Sequence, residues 1–233
     1  MTPKLVALIQ NDFRLQWRYR IIAAYIVVVA LYATIIISAQ DALPNWAIAI
    51  LIYSDPAVLG FFFLGGLMML EKGENVRTAL AMSAISPTQY LAAKSISLTI
   101  IALGAVVVIA LCAKTPIQAM PIILFATATT SIMFISIGAI VALRFKTING
   151  YLIGSVPFVT PLIAPAALNL IDPLPLYAFI LPPTAQLKLL LVGFSVGSAS
   201  LAVITVCVLS CMSGAIGSFC FTQHLLKSEL GDK

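Results

Sequence analysis

Residues 70–94 read LEKGENVRTALAMSAISPTQYLAAK, a compact polar stretch set between two long apolar runs. In a chain with only 9% charged residues it carries Glu71, Lys72, Glu74, Arg77 and Lys94. Such a density of charge is expensive in hydrocarbon, so the stretch belongs at a membrane surface and the runs on either side of it belong in the bilayer. Gly73 and Asn75 interrupt the helix descending from residue 61. Residues 76–82 then read as a short helix with Val76 and Leu80 on one side and Arg77 off it. Ser86 followed by Pro87 is a second start signal, a capping hydroxyl before a first-turn proline. The pattern predicts helix, turn, helix; a solvated loop is the local alternative.

Outward from this stretch, the chain is 61% hydrophobic with a mean hydropathy of +1.10, far from the composition of a soluble domain. About 18 apolar residues suffice to cross a bilayer as helix. Runs of that kind occur near 21–39, 46–70, 95–113, 116–143, 151–168 and 199–221. The expected fold is therefore all-α and polytopic, one transmembrane domain over 1–233 with six spans. A seventh span over 176–194 would contain Pro182 and Pro183 and would move the basic tail to the other side. With the amino terminus inside, Lys4, Arg14, Arg18, Arg20, Lys72, Arg77, Lys94, Arg144, Lys146, Lys227 and Lys233 lie inside, against Lys114 and Lys188 outside. That asymmetry is the positive-inside pattern and places both termini in the cytoplasm; it also accounts for the net charge of +5 without nucleic acid.

Thr2-Pro3 opens a helix expected to run to about residue 20. Gln10, Asn11, Arg14 and Arg18 form its polar face, and Leu5, Leu8, Ile9, Phe13, Leu15 and Tyr19 its apolar side. Asp12, Gln16 and Arg20 interrupt that apolar side at i, i+4 spacing. Either an interfacial helix with Trp17 and Tyr19 at headgroup level or a cytoplasmic extension of the first span fits. In the second span, Ser54-Asp55-Pro56 marks a place where the helix kinks or starts, with Ser54 and Asp55 as capping residue types. Asp55 is either such a cap or a contact for a cationic or amphipathic solute. Seven of the thirteen prolines fall between Pro157 and Pro183. Pro157, Pro161 and Pro165 recur at i, i+4, i+8 and predict a broken fifth span, followed by an outer, partly re-entrant segment over 169–190. Freed backbone at that depth is tolerated beside protein or a polar cavity, so Asp55, Pro157 and Pro161 are candidate pathway residues. In the last span Ser210, Ser213, Gly214 and Gly217 form a strip of small residues that permits close helix approach.

Catalytic chemistry is missing. No Gly-Lys dipeptide exists, so the chain has no phosphate-binding P-loop. The single histidine, His224, lies in the tail. Cys112, Cys207, Cys211 and Cys220 lie in apolar runs without metal or disulfide spacing. No resident cofactor or metal is expected, and a membrane enzyme has no cluster to work with.

The order of motifs resembles the permeases of ATP-binding-cassette (ABC) exporters of the second type, and within them the fluoroquinolone-export branch. The residues concerned are 11–19 (NDFRLQWRY), 54–63 (SDPAVLGFFF), 71–94, 144–147 (RFKT) and 181–184 (LPPT). The resemblance implies an elbow helix over 1–20 and a cytoplasmic coupling helix within 71–94. It also implies a separate ATPase subunit carrying ATP and magnesium, and a second permease copy in a homodimer or related pair. The cargo implied is a drug-like, lipid or peptide amphipathic solute moved outward across the cell (inner) membrane. Glu71, Glu74 and Arg77 are the expected charged contacts with the ATPase, and Leu80 the apolar anchor. The chain departs from the family run at residues 73–76, Gly-Glu-Asn-Val. The competing class is a non-transport membrane protein, an immunity or assembly factor that binds lipid or peptide without turnover.

Overall fold

The computed structural model describes residues 3–39, 42–73, 85–170 and 174–231. Every element among them is helical. Helix α1 (Pro3–Arg18) carries the imperfect amphipathic pattern, and just past its end Arg20, with a φ of 58°, breaks the helical path. The chain then enters α2 (Ile21–Ser38), which is apolar all round and buries only Tyr25, Val29 and Ile36. A helix so little covered by its own chain presents its surface to lipid or to another subunit.

The second span is α3 (Asn45–Val58), a π-helical turn (Leu59–Phe63) and α4 (Leu64–Gly73) in continuous succession. The helix does not start at Ser54-Asp55-Pro56. Ser54 donates to the Leu51 carbonyl one turn back, and Asp55 accepts from Tyr25 of α2, so neither caps a new helix. The irregularity emerges a turn later as the π turn. Proline removes one ladder donor, and a wide turn lets the helix continue rather than break.

Ser86 and Pro87 do begin a helix, α5 (Pro87–Cys112). The Ser86 hydroxyl accepts from Gln89 N at 3.2 Å, and Gln89 Oε1 accepts from Ser86 N at 3.1 Å, a complete capping box. This corrects the sequence expectation of a second short helix. The start signal opens the long helix of the third span itself, and Lys94 sits two turns into it. The expected helix at 76–82 lies outside the described residues.

Helix α6 (Met120–Ala142) is the centre of the bundle, packed by α3, the π turn, α4, α5 and two later helices. Its closest approach is at Gly138, where a Cβ would stand 2.7 Å from the Phe61 carbonyl oxygen. The fifth span is interrupted at Ser155, where α7 (Ile148–Gly154) and α8 (Val156–Leu168) meet just before Pro157; at Pro161 and Pro165, where the proline spacing predicts further breaks, α8 continues. Past 170, a 3-10 turn (Leu176–Ile180) leads into α9 (Pro182–Gly193), and α10 (Leu201–Gly231) closes the chain.

Twelve residues of α9 rise about 18 Å, short of the roughly 30 Å of hydrocarbon, so α9 is no seventh span. It begins deep in the bundle, with Pro182 against Gly214 of α10, and ends with Gly193 against Ile122 and Ile123 at the start of α6. The Ser210 hydroxyl donates to the Ile180 carbonyl at 2.8 Å. The small-residue strip of the last span thus receives the turn at which the chain reverses. Among the described residues, six helical stretches are long and apolar enough to cross a membrane: Ile21–Ser38, Asn45–Glu71, Pro87–Cys112, Ile117–Ala142, Ile148–Leu168 and Leu201–Ser228. Helix α10 also continues through the polar tail to Gly231. There Thr222 donates to the Ser136 carbonyl at 2.9 Å, and Gln223 donates to the Thr88 hydroxyl at 2.7 Å.

Candidate functional site

Residues 74–84, outside the described residues, connect the end of α4 to the start of α5 in sequence. The roots of this segment are joined by a buried charge cluster. Lys94 Nζ of α5 lies 2.5 Å from Glu71 Oε1 of α4 and 3.2 Å from Asp12 Oδ1 of α1. The Tyr90 hydroxyl, one turn earlier on α5, donates to Glu71 Oε2 at 2.5 Å, and Lys94 Nζ stands 4.9 Å from the centre of the Tyr90 ring. One turn deeper, Gln16 Nε2 donates to Ser97 Oγ at 2.9 Å. Glu71 and Lys94 are 2% and 1% exposed, and Gln16 is fully buried.

Three elements that are distant in sequence are therefore fastened by one ammonium shared between two carboxylates. Charged groups survive burial only when paired and hydrogen-bonded, and Glu71 meets that condition with both oxygens engaged. Asp12 meets it in part. Its Oδ2 is buried with no partner among the described residues. Burial pushes the Asp12 carboxyl above its ordinary 3.8, with the attraction of Lys94 pulling the other way and losing.

Of the residues expected to touch an ATPase, Glu74, Arg77 and Leu80 lie outside the described residues. Glu71 lies inside, and its burial makes it an internal fastening of the segment's root rather than an exposed contact. Both of its carboxylate oxygens are occupied, by Lys94 and Tyr90, and it is 2% exposed. Lys94 is the residue at the centre of the cluster, and sequence reasoning gave it no such place. The signal was present in α1, where Asp12 and Gln16 break the apolar side at i, i+4; these are the two side chains that face α5.

Asp55 is buried and accepts a hydrogen bond from the Tyr25 hydroxyl, joining the second span to the first. Pro157 and Pro161 lie on the exposed side of α8, whose packing partners are α9 and α7 rather than α3. The fold therefore does not gather Asp55, Pro157 and Pro161 around one described cavity. Below Asp55, the π turn is held from the fifth span. The Tyr151 hydroxyl donates to the Phe61 carbonyl at 2.5 Å, its ring stacks on Phe61 with centroids 6.0 Å apart, and Gly65 leaves room for that ring. Among the described residues, no group of His, Cys, Asp and Glu is placed to hold a metal.

Six apolar spans, an amino-terminal helix fastened to the third span and a charged connection tied at its roots define a multi-pass helical membrane protein built around its basic end. The chain belongs to the fluoroquinolones export permease protein family, whose model matches residues 3–226; it is a membrane permease. Among characterised relatives, it is similar to the fluoroquinolones export permease proteins of two Mycobacterium tuberculosis strains, CDC 1551 / Oshkosh and ATCC 25618 / H37Rv. Each is 26% identical over 200 residues, covering 85% of this chain and 84% of the relative. No solved structure matches the chain.

Proposed function

We propose that this permease is the transmembrane subunit of an ATP-driven exporter. It pairs with a second permease copy and with a separate ATPase that carries ATP and magnesium, and it moves a drug-like amphipathic solute out of the cytoplasm. Both termini and the 74–84 segment then face the cytoplasm in the cell (inner) membrane, in keeping with the distribution of basic residues.

The observation that carries the reading is the Glu71–Lys94–Asp12 cluster at the roots of 74–84. A docking element transmits force only if its base is fixed to the body it must move. Here the base is fixed to the second span, the third span and the amino-terminal helix together. In this reading Glu74 and Arg77 are charged contacts, Leu80 is the apolar anchor, and Glu71 holds the segment in place. A few anchored residues within a polar surround suffice for such an interface.

The test is ATP hydrolysis by the partner ATPase, reconstituted with permease variants. Arg77→Glu and Leu80→Asp are expected to abolish permease-dependent stimulation while the permease still inserts and remains monodisperse. Unchanged stimulation in both would remove 74–84 from the coupling role.

A further inference from the structure

The second span holds an acidic group with no matching base. Asp55 lies about 15 Å along α3 from Asn45, well within the apolar stretch Asn45–Glu71, and is 6% exposed. Both ion pairs among the described residues belong to Lys94, so Asp55 has no cationic partner among them. Its hydrogen-bond donor is a neutral hydroxyl, that of Tyr25. A buried carboxylate offset by one neutral donor is under-compensated, and an intramembrane acid in that state is a site in want of a cation.

Tyr25, its hydrogen-bond donor, connects Asp55 to a space that suits one. Tyr25 also lines a cavity of about 380 Å³ between α2 and α5, walled by Ile22, Val29, Ile101, Gly104 and Ala105. That volume falls within the roughly 300–1,000 Å³ of small-molecule sites. Its walls are apolar apart from Tyr25, whose ring is a surface for an organic cation and whose hydroxyl leads directly to the carboxylate. An acyl chain would fill the same space, but it would leave Asp55 as it is now.

We propose that the cavity between α2 and α5 binds a lipophilic organic cation, with Asp55 as counter-ion and the Tyr25 ring as its aromatic wall. Binding stands on this geometry alone. That the bound cation is cargo rests on the export reading.

The experiment measures equilibrium binding of tetraphenylphosphonium, and of its anionic isostere tetraphenylborate, to the purified permease. The wild type is expected to prefer the cation. Asp55→Asn should weaken cation binding at least about tenfold while leaving the anion unaffected or improved, because only the charge is lost. Gly104→Phe tests the cavity independently of Asp55. A Cβ at Gly104 meets nothing within 4 Å, so the new ring can occupy the cavity without disturbing the helix, and both probes should be lost. Equal affinity of the wild type for the two ions would identify a lipid groove and overturn the proposal. So would full cation binding by Asp55→Asn or by Gly104→Phe, including the case where Gly104→Phe alters only the oligomeric state. Binding that follows the proposal without ATP-driven export of the cation would leave the site standing and sink the export reading instead.

Discussion

Replacing Lys94 by Met removes the ammonium and keeps most of the side chain's volume. The two carboxylates that shared it remain where they are: Glu71 loses a partner at 2.5 Å and Asp12 one at 3.2 Å, both in a region from which water is excluded. Removing one member of a buried ion pair costs about 3–5 kcal/mol, most of it the penalty of the charge left behind. Two acids are stranded here, which puts the variant at the upper end. Protonation of Asp12, already displaced upward by burial, offers partial relief. A loss of about 3 kcal/mol is therefore the lower expectation, or roughly 6–12 °C in Tm at 2–4 °C per kcal/mol for a chain of this size. Thermal unfolding of purified permease in detergent reads it. The same logic requires that the triple variant Asp12→Asn, Glu71→Gln, Lys94→Met recover most of the loss, since neutral isosteres carry no stranded charge. A shift below about 2 °C for Lys94→Met, or a triple variant as unstable as the single, would refute the reasoning.

Three further outcomes follow from particular contacts. Because the folded Asp12 carboxyl titrates above its ordinary 3.8, the folded state binds more protons than the unfolded state between those two values. The Asp12 contribution to stability must then fall as pH rises through that window, and Asp12→Asn should flatten the fall when denaturation is followed from about pH 4 upward. Gly138→Ala places a methyl 2.7 Å from the Phe61 carbonyl oxygen. The gain in helix propensity, about 1 kcal/mol, is outweighed by backbone displacement, giving a net loss of roughly 1–2 kcal/mol in the same unfolding assay. For topology, single cysteines at Gln40 and Lys188 in a cysteine-free background should react with impermeant reagent from outside only; reaction of a cysteine at Lys227 from outside would invert the proposed orientation.

The number of spans, the interruption before Pro157 and the presence of a polar connection between the second and third spans were legible in the chain itself. Each depends on a local sum: enough consecutive apolar residues to cross hydrocarbon, prolines that cannot keep a ladder, charges that cannot stay in lipid. The capping box at Ser86 was legible for the same reason, being settled within four residues. What that cap begins was not. Whether a helix continues past Lys94 into the bilayer or stops before it depends on whether the ammonium finds partners, and those partners come from residues 12 and 71. Asp12 and Gln16 read as flaws in an amphipathic face until α5 is set against it; they then become the contacts that fasten α1 to the bundle. Asp55 likewise read as a helix cap because capping is the local use of an aspartate before proline, and only the packing of α2 beside α3 gives it Tyr25 instead. Local chemistry is written in spacing along the chain. A buried charge is decided by what stands opposite it, and only the tertiary structure brings those groups together.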